Sequence, residues 1–251
     1  MARYRNNFLK QVIMQVQFDP VLAFQNEAVA TFREQIKDPL PRTQRIDEMA
    51  VHVGIQPGAP STAETHPIHT KYLFSTPDGS KRVSISPVTF ALEYQRYENI
   101  DRARDDFTFT WSAFQDLFDI KLLTRVGLRY INGIILTEGN PLDWSGYIDN
   151  KLISATLEIP EPPGPRLARS MHAVHWTQED RRVVFNFGIH NRDFPNAVTR
   201  REFILDYDCF SVGTIEATEL VTLFRRYNDT LSSLFEESIG ERLRDRMGRE
   251  D

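Results

Sequence analysis

The chain has 251 residues and a formal net charge of −5, with 41% hydrophobic and 26% charged residues. This balance is typical of a folded protein with a full apolar core, and it excludes an intrinsically disordered chain. The net negative charge provides no overall attraction to nucleic acid or anionic lipid, which argues against both as partners. The single cysteine, Cys209, excludes a disulfide framework or a thiolate metal cluster within one chain.

We expect a cytoplasmic protein from the same observations. A signal peptide needs a continuous apolar run, and polar residues within the first 11 residues interrupt any such run. No apolar stretch of the sequence is long enough to form a membrane-spanning helix. A lone cysteine also fits a reducing compartment.

The first predicted unit is a strand, a helix and a second strand. Residues 12–18 alternate between apolar and polar side chains, which predicts a strand with one buried face. Asp19 followed by Pro20 predicts the start of a helix that continues to Ile36. The second strand is expected over residues 48–55.

A loop and an antiparallel meander are predicted next. Residues 56–64 have turn composition and no periodicity, so they predict a mobile loop. Strands over 72–75 and 81–86 are joined by Pro-Asp-Gly at residues 77–79, which is a turn sequence. Alternation over 88–94 predicts a further antiparallel strand.

An aromatic helix precedes the most informative strand. Phe107, Trp111, Phe114 and Phe118 are spaced so that their rings share one helical face. We expect these rings to cover the sheet rather than to form an exposed platform for bases. A strand over residues 123–136 follows.

The second half is predicted to be rich in strands and to close with a helix. The expected strands are residues 153–159, 169–177, 182–190 and 201–210. The prolines of residues 160–165 predict a loop after the first of them. An apolar stripe over residues 215–247 predicts one long amphipathic helix, with Thr214 as its N-cap. Gly240 marks either a bend in this helix or a frayed last turn.

These elements predict an α+β fold, in which helices cover antiparallel sheets. We divide the chain into an N-terminal α+β half, residues 1–141, and a β-rich half with the long helix, residues 142–251. The two halves share a rough plan and are expected to be related. The pattern leaves open whether they share one core.

Four segments together resemble a sporadically distributed family of bacterial proteins of unknown function. The most specific is Arg-Tyr-Ile-Asn at residues 129–132, and Leu-Asp-Tyr-Asp at residues 205–208 comes before the closing helix. Residues 12–20 and 234–239 complete the resemblance, which extends over nearly the whole chain. It implies no catalytic residue, substrate or cofactor. A patchy distribution implies an accessory gene of a mobile or defence-like locus, with a partner encoded nearby.

Two predicted strands carry the candidate site. Because alternate residues of a strand share a face, Arg125, Gly127 and Arg129 lie on one side of their strand. Asp206 and Asp208 likewise share a face. If the two strands are neighbours, these charges meet in a polar cluster, for which a structural ion-pair network is the favoured interpretation.

The alternative interpretation is a ligand site. Gly127 between two arginines leaves a gap for a ligand oxyanion or another backbone, and Arg125, Arg129 and Asn132 would be the anchors. Asp206 and Asp208 also have the two-residue spacing of an acid–base or metal pair, although no third acidic residue stands at a recognised spacing.

Other catalytic or metal-binding patterns are weak. His172 and His175 would point to opposite faces of one strand and so would not chelate together. Neither a nucleophile-elbow motif nor a phosphate-binding glycine loop is present. We therefore expect no metal and no cofactor, and the sequence favours a non-enzyme without excluding activity.

Three functions follow in order of preference. The first is a non-enzymatic binding or regulatory protein that acts through protein–protein interaction, with a homodimer as one arrangement. The second is a small-molecule or nucleotide-binding module anchored by Arg125, Arg129 and Asn132. The third is a metal-dependent nuclease or hydrolase centred on Asp206 and Asp208.

Overall fold

The computed structural model describes residues 3–54, 62–158, 162–164 and 166–250. Its strands are β1 (Arg3–Tyr4), β2 (Leu9–Gln17), β3 (Arg42–Gly54), β4 (Thr62–Ser75), β5 (Lys81–Ile85), β6 (Thr89–Tyr94), β7 (Leu122–Leu136), β8 (Ser170–Thr177), β9 (Arg182–Ile189), β10 (Arg201–Glu216) and β11 (Arg249–Glu250). Its helices are α1 (Asn26–Ile36), α2 (Ile100–Phe118), α3 (Asn150–Leu157), α4 (Leu220–Ser238) and α5 (Glu241–Met247), with a 3-10 turn at Ala217–Glu219.

Nine of these strands form one antiparallel sheet in the order β3-β4-β5-β6-β2-β7-β10-β9-β8. The short strands β1 and β11 pair with each other outside it. This sheet with its helices confirms the α+β class. Residues 1–141 supply β2 to β7 and residues 142–251 supply β8 to β10, and one hydrophobic cluster extends through both segments. The relatedness of the two halves stays a prediction.

Three helices cover the same face of the sheet, which we call the helix side. Phe32 of α1 packs edge-on against Phe74, with ring centroids 5.4 Å apart. The α2 ring of Trp111 lies 5.2 Å from Phe90, so the aromatic face of this helix covers the sheet as predicted. Helix α4 also buries apolar side chains in this core, and the Tyr130 hydroxyl donates to a side-chain oxygen of this helix at 2.8 Å.

The first helix begins later than predicted. It starts at Asn26, after an N-cap, Gln25, that makes no side-chain capping bond. The predicted start at Asp19 and Pro20 is wrong because the next residues are held by the neighbouring loop. The N–H of Val21 donates to the carbonyl of Pro87, which fixes this segment outside a helix.

The predicted strand over 153–159 is also wrong, because residues 150–157 form α3. Asp149 is the N-cap, and its carboxylate accepts the N–H of Lys151 at 2.9 Å. The Thr156 hydroxyl, on the buried side of the helix, donates back to the carbonyl of Leu152. The alternation of Ile153, Ala155 and Leu157 is compatible with a strand or a helix, and the N-cap at Asp149 favours the helix.

The C-terminal helix is two helices preceded by a strand, rather than one helix over 215–247. Strand β10 continues to Glu216, and α4 and α5 are separated by Ile239, which is extended with φ −109° and ψ 148°. Gly240 donates its N–H to the carbonyl of Tyr147 at 2.8 Å. A Cβ on Gly240 would lie 2.1 Å from the carbonyl oxygen of Gly146, so a close backbone approach sets the break.

Strands β3 and β4, which pair with each other, are both longer than the strands predicted over 48–55 and 72–75. Strand β3 begins at Arg42, and Thr62, at the end of the predicted loop, already belongs to β4. Residues 56–61 of that loop lie outside the described residues, as does Ile55 at the end of the predicted strand. The Pro-Asp-Gly turn between β4 and β5 is confirmed, with Gly79 at φ 71°.

Candidate functional site

The opposite face of the sheet, which we call the open face, carries the predicted cluster. Strands β7 and β10 are neighbours, with Arg129 opposite Asp208 and Arg125 opposite Val212. Because directly opposite residues share a face, the arginines and aspartates point to the same side. The structure therefore brings together Arg125, Arg129, Asp206 and Asp208, which we call the Arg–Asp cluster.

The pair of Arg129 and Asp206 is bidentate. Arg129 donates from Nε to Oδ1 at 2.8 Å and from Nη2 to Oδ2 at 2.7 Å. Its side chain is 41% exposed while that of Asp206 is 9% exposed. The hydrogen bonds to Asp206 raise the pKa of Arg129 above its ordinary value. A fixed guanidinium thus stands at the surface above a buried carboxylate.

Arg125 lies flat along the sheet. Its Nη2 donates to Asp208 Oδ2 at 2.9 Å and its Nη1 donates to Gln15 Oε1 at 3.0 Å. The guanidinium carbon lies 4.5 Å from the centroid of the Phe210 ring. A Cβ on Gly127 would come within 2.6 Å of Arg125 Nη1. The gap that the sequence assigned to a ligand oxyanion is therefore occupied by the guanidinium of Arg125.

Asp208 is the electrostatically costly member of the cluster. Burial raises the pKa of its carboxyl above the ordinary value, although the charges of Arg125 and Arg129 act in the opposite direction. Desolvation of the charged form thus outweighs the nearby guanidinium groups.

Asn132 does not join the cluster. It lies on the helix side of β7, is 5% exposed, and donates from Nδ2 to the carbonyl of Leu205 at 3.3 Å. Its partner explains its position, because a buried amide needs a hydrogen bond. The alternation along β7 already separates Asn132 from Arg125 and Arg129.

The open face carries two further ionic groups that the sequence did not predict. Glu93 of β6 accepts from Gln11 Nε2 at 2.9 Å and from Arg82 Nε at 2.9 Å. Near the start of β10, Arg192 Nε lies 2.6 Å from Oε1 of Glu202, whose side chain is 5% exposed. The even-numbered acidic positions of β10 were the available signal for Glu202. No signal linked residues as distant along the chain as Arg82 and Gln11.

Apolar side chains lie between these ionic groups. The half-buried ones are Ile13, Ile131, Ile204 and Phe210, and among the described residues none of these belongs to the core on the helix side. Ile135 and Val212 are 38% and 46% exposed. The open face therefore combines preformed ion pairs with apolar surface that the described part of the chain leaves uncovered.

This arrangement does not favour the second and third hypotheses. Both arginines are engaged by carboxylates, so a ligand anion would have to compete with Asp206 and Asp208. A divalent cation would in turn have to displace a guanidinium from each aspartate. Within the described ranges, no three His, Cys, Asp or Glu side chains are grouped to hold a metal. His172 and His175 stand on opposite faces of β8, as expected.

Comparisons with protein-family models, curated proteins and solved structures found no match for this chain. Among the helices described, none has both the length and the apolar character needed to cross a lipid bilayer. The function must therefore be inferred from the geometry of the molecule.

Proposed function

We propose that this chain is a non-enzymatic binding or regulatory protein of the bacterial cytosol, and that its open face binds a protein partner. The observation that carries this proposal is the mixture on that face of uncovered apolar side chains and ion pairs that are already formed. One face of an antiparallel sheet is often solvated, and the side chains on that face are then usually polar. Here the outward positions include Ile131, Ile135, Ile204 and Phe210.

The ion pairs prepare this surface for binding. Ordering a long side chain on association costs about 0.5–1.5 kcal/mol. Arg129 is already held by two hydrogen bonds to Asp206. Its side chain is therefore ordered before the partner binds, and association does not have to supply this free energy. Exposed arginine beside apolar surface is typical of the residues that dominate protein interfaces. A partner would therefore meet Arg129 in a fixed position.

The partner is proposed to be encoded beside the gene for this chain. This follows from the resemblance to a patchily distributed bacterial family, since accessory genes of mobile or defence-like loci commonly act with their neighbours. It defines a small set of candidate partners.

Co-purification with the products of neighbouring genes tests the proposal. The informative variant is Ile135→Glu, on the open face, and the matched control is Val221→Glu on α4. The two side chains are 38% and 44% exposed, so each substitution adds one carboxylate at a similarly accessible apolar position. A charge buried in the apolar part of an interface should weaken binding about tenfold or more.

We expect a partner that the wild type and Val221→Glu retain and that Ile135→Glu loses. Thermal unfolding of both variants verifies that each is folded. Equal retention by the two variants, or loss in the control alone, would contradict binding through the open face.

A further inference from the structure

The two edges of the nine-stranded sheet differ in protection. Edge strands offer unpaired N–H and carbonyl groups, and proteins usually protect them with charges, proline or a bulge. At the β3 edge, Arg42, Arg45 and Asp47 are exposed, and the pairing with β4 shifts register between Glu48 and Met49. That edge therefore carries two of the usual protections.

The β8 edge carries none of them. The strand reads Ser-Met-His-Ala-Val-His-Trp-Thr, with neither proline nor a Lys, Arg, Asp or Glu residue. Its pairing with β9 continues through all eight positions without a register shift. Met171 and Trp176 are 39% and 44% exposed. An eight-residue edge that is regular, uncharged and partly apolar has the properties of a strand-pairing surface.

We infer that β8 pairs antiparallel with β8 of a second copy of this chain. A two-fold axis perpendicular to the sheet keeps each face on its own side, so opposite residues must belong to the same face. A register centred on Val174 satisfies this condition. It places Val174 opposite Val174 of the partner subunit and His172 opposite Trp176 of the partner subunit.

The side chains of this register are compatible with one another. On the helix side, the His172 ring stacks on Phe187 at 5.1 Å and the Trp176 ring stacks on Phe185 at 6.3 Å. Pairing the two strands covers the exposed Trp176 with an imidazole already held in place, and aromatic cross-strand pairs are stabilising. On the open side, Ala173 faces His175 of the partner subunit, where a small side chain leaves room for the ring.

A second copy is the occupant that this edge fits best. An uncharged strand gives no electrostatic preference for a charged partner, whereas every contact of the self-pairing register away from the two-fold axis is made twice. The two joined sheets would present both open faces on the same side of one continuous sheet. This inference does not rest on the proposed function, because the edge and the open face are different surfaces.

Sedimentation velocity over a range of concentrations tests the inference. The wild type should form a dimer that dissociates on dilution. The acidic variant, Ala173→Glu with His175→Glu, places like charges opposite each other at two symmetric points. Such an arrangement should raise the dissociation constant about 100-fold or more.

A charge-swap experiment separates loss of pairing from loss of folding. The basic variant, Ala173→Lys with His175→Lys, should also be monomeric, and an equimolar mixture of the acidic and basic variants should dimerise. The control, Leu22→Glu with Gln44→Glu, adds the same charge at exposed positions away from β8 and should remain dimeric. A wild type that is monomeric at every soluble concentration, or a mixture of variants that fails to dimerise while both are folded, would overturn the inference.

Discussion

Substituting Gly127 by alanine tests whether this residue provides space for Arg125. The new Cβ would lie 2.6 Å from Arg125 Nη1 and 3.0 Å from its Cζ, so the guanidinium must move. It would leave Asp208 and Gln15 as well as the ring of Phe210. The lost hydrogen bonds to a charged group are worth about 1.5–3 kcal/mol, and the cation–π contact about 0.5–1 kcal/mol.

Replacing glycine within a strand offsets part of this loss, since alanine loses less conformational entropy on folding, by about 0.5–1 kcal/mol. The net expectation for Gly127→Ala is a destabilisation of about 1–3 kcal/mol. For a chain of this size, that corresponds to a fall in Tm of about 2–12 °C.

The assay is equilibrium unfolding in urea as a double-mutant cycle with Arg125→Ala. In the Arg125→Ala background the guanidinium is absent, so Gly127→Ala should be neutral or stabilising by about 0.5–1 kcal/mol. The sign of the Gly127→Ala effect should thus change between the two backgrounds. An equal cost in both would refute the account of Gly127 as space for Arg125.

Three other predictions concern single residues. Gly188→Ala should destabilise the protein by about 2–4 kcal/mol in thermal unfolding, because Gly188 has φ +141° and a Cβ there would lie 2.1 Å from the Ser170 carbonyl oxygen. Burial raises the pKa of the Cys209 thiol to about 12, so a thiol reagent at pH 8 should react only after unfolding, and rapid labelling of the native protein would contradict this. Burial also raises the pKa of Asp208, so the native state binds this proton more tightly than the unfolded state does. The stability that the protonated Asp208 carboxyl contributes is therefore fully present below the pKa that Asp208 has in the unfolded state. It is lost as the pH rises through the higher pKa that Asp208 has in the folded state. Relative to Asp208→Asn, the wild type should lose stability over that pH range, and a gain would contradict this assignment.

Elements with strong local patterns could be predicted from the sequence. The alternation in β2 and β7 and the ring spacing in α2 were sufficient because each pattern fits one period only. The failure at residues 153–159 came from a short apolar alternation that a helix can also bury. The early helix start at Asp19 failed because a long-range bond, from Val21 to Pro87, competes with the local cap signal.

The sequence predicts the part of the candidate site that depends on one strand at a time, which is the set of residues that share a face of that strand. Alternation placed Arg125 with Arg129 and Asp206 with Asp208, but the meeting of the two pairs depends on β7 and β10 being neighbours, which is a property of the topology. The occupation of the gap at Gly127 by a side chain two residues away depends on a rotamer. Neither can be read from one sequence.

Isoleucine methyl groups offer the most direct test of binding through the open face. Ile13, Ile131 and Ile204 lie on that face, while Ile85 and Ile134 are fully buried on the helix side. Methyl NMR spectra recorded during titration with the co-purified partner should show shifts or broadening at the first three and little change at the other two. Perturbation confined to the helix-side methyl groups, with the open-face signals unchanged, would contradict the account.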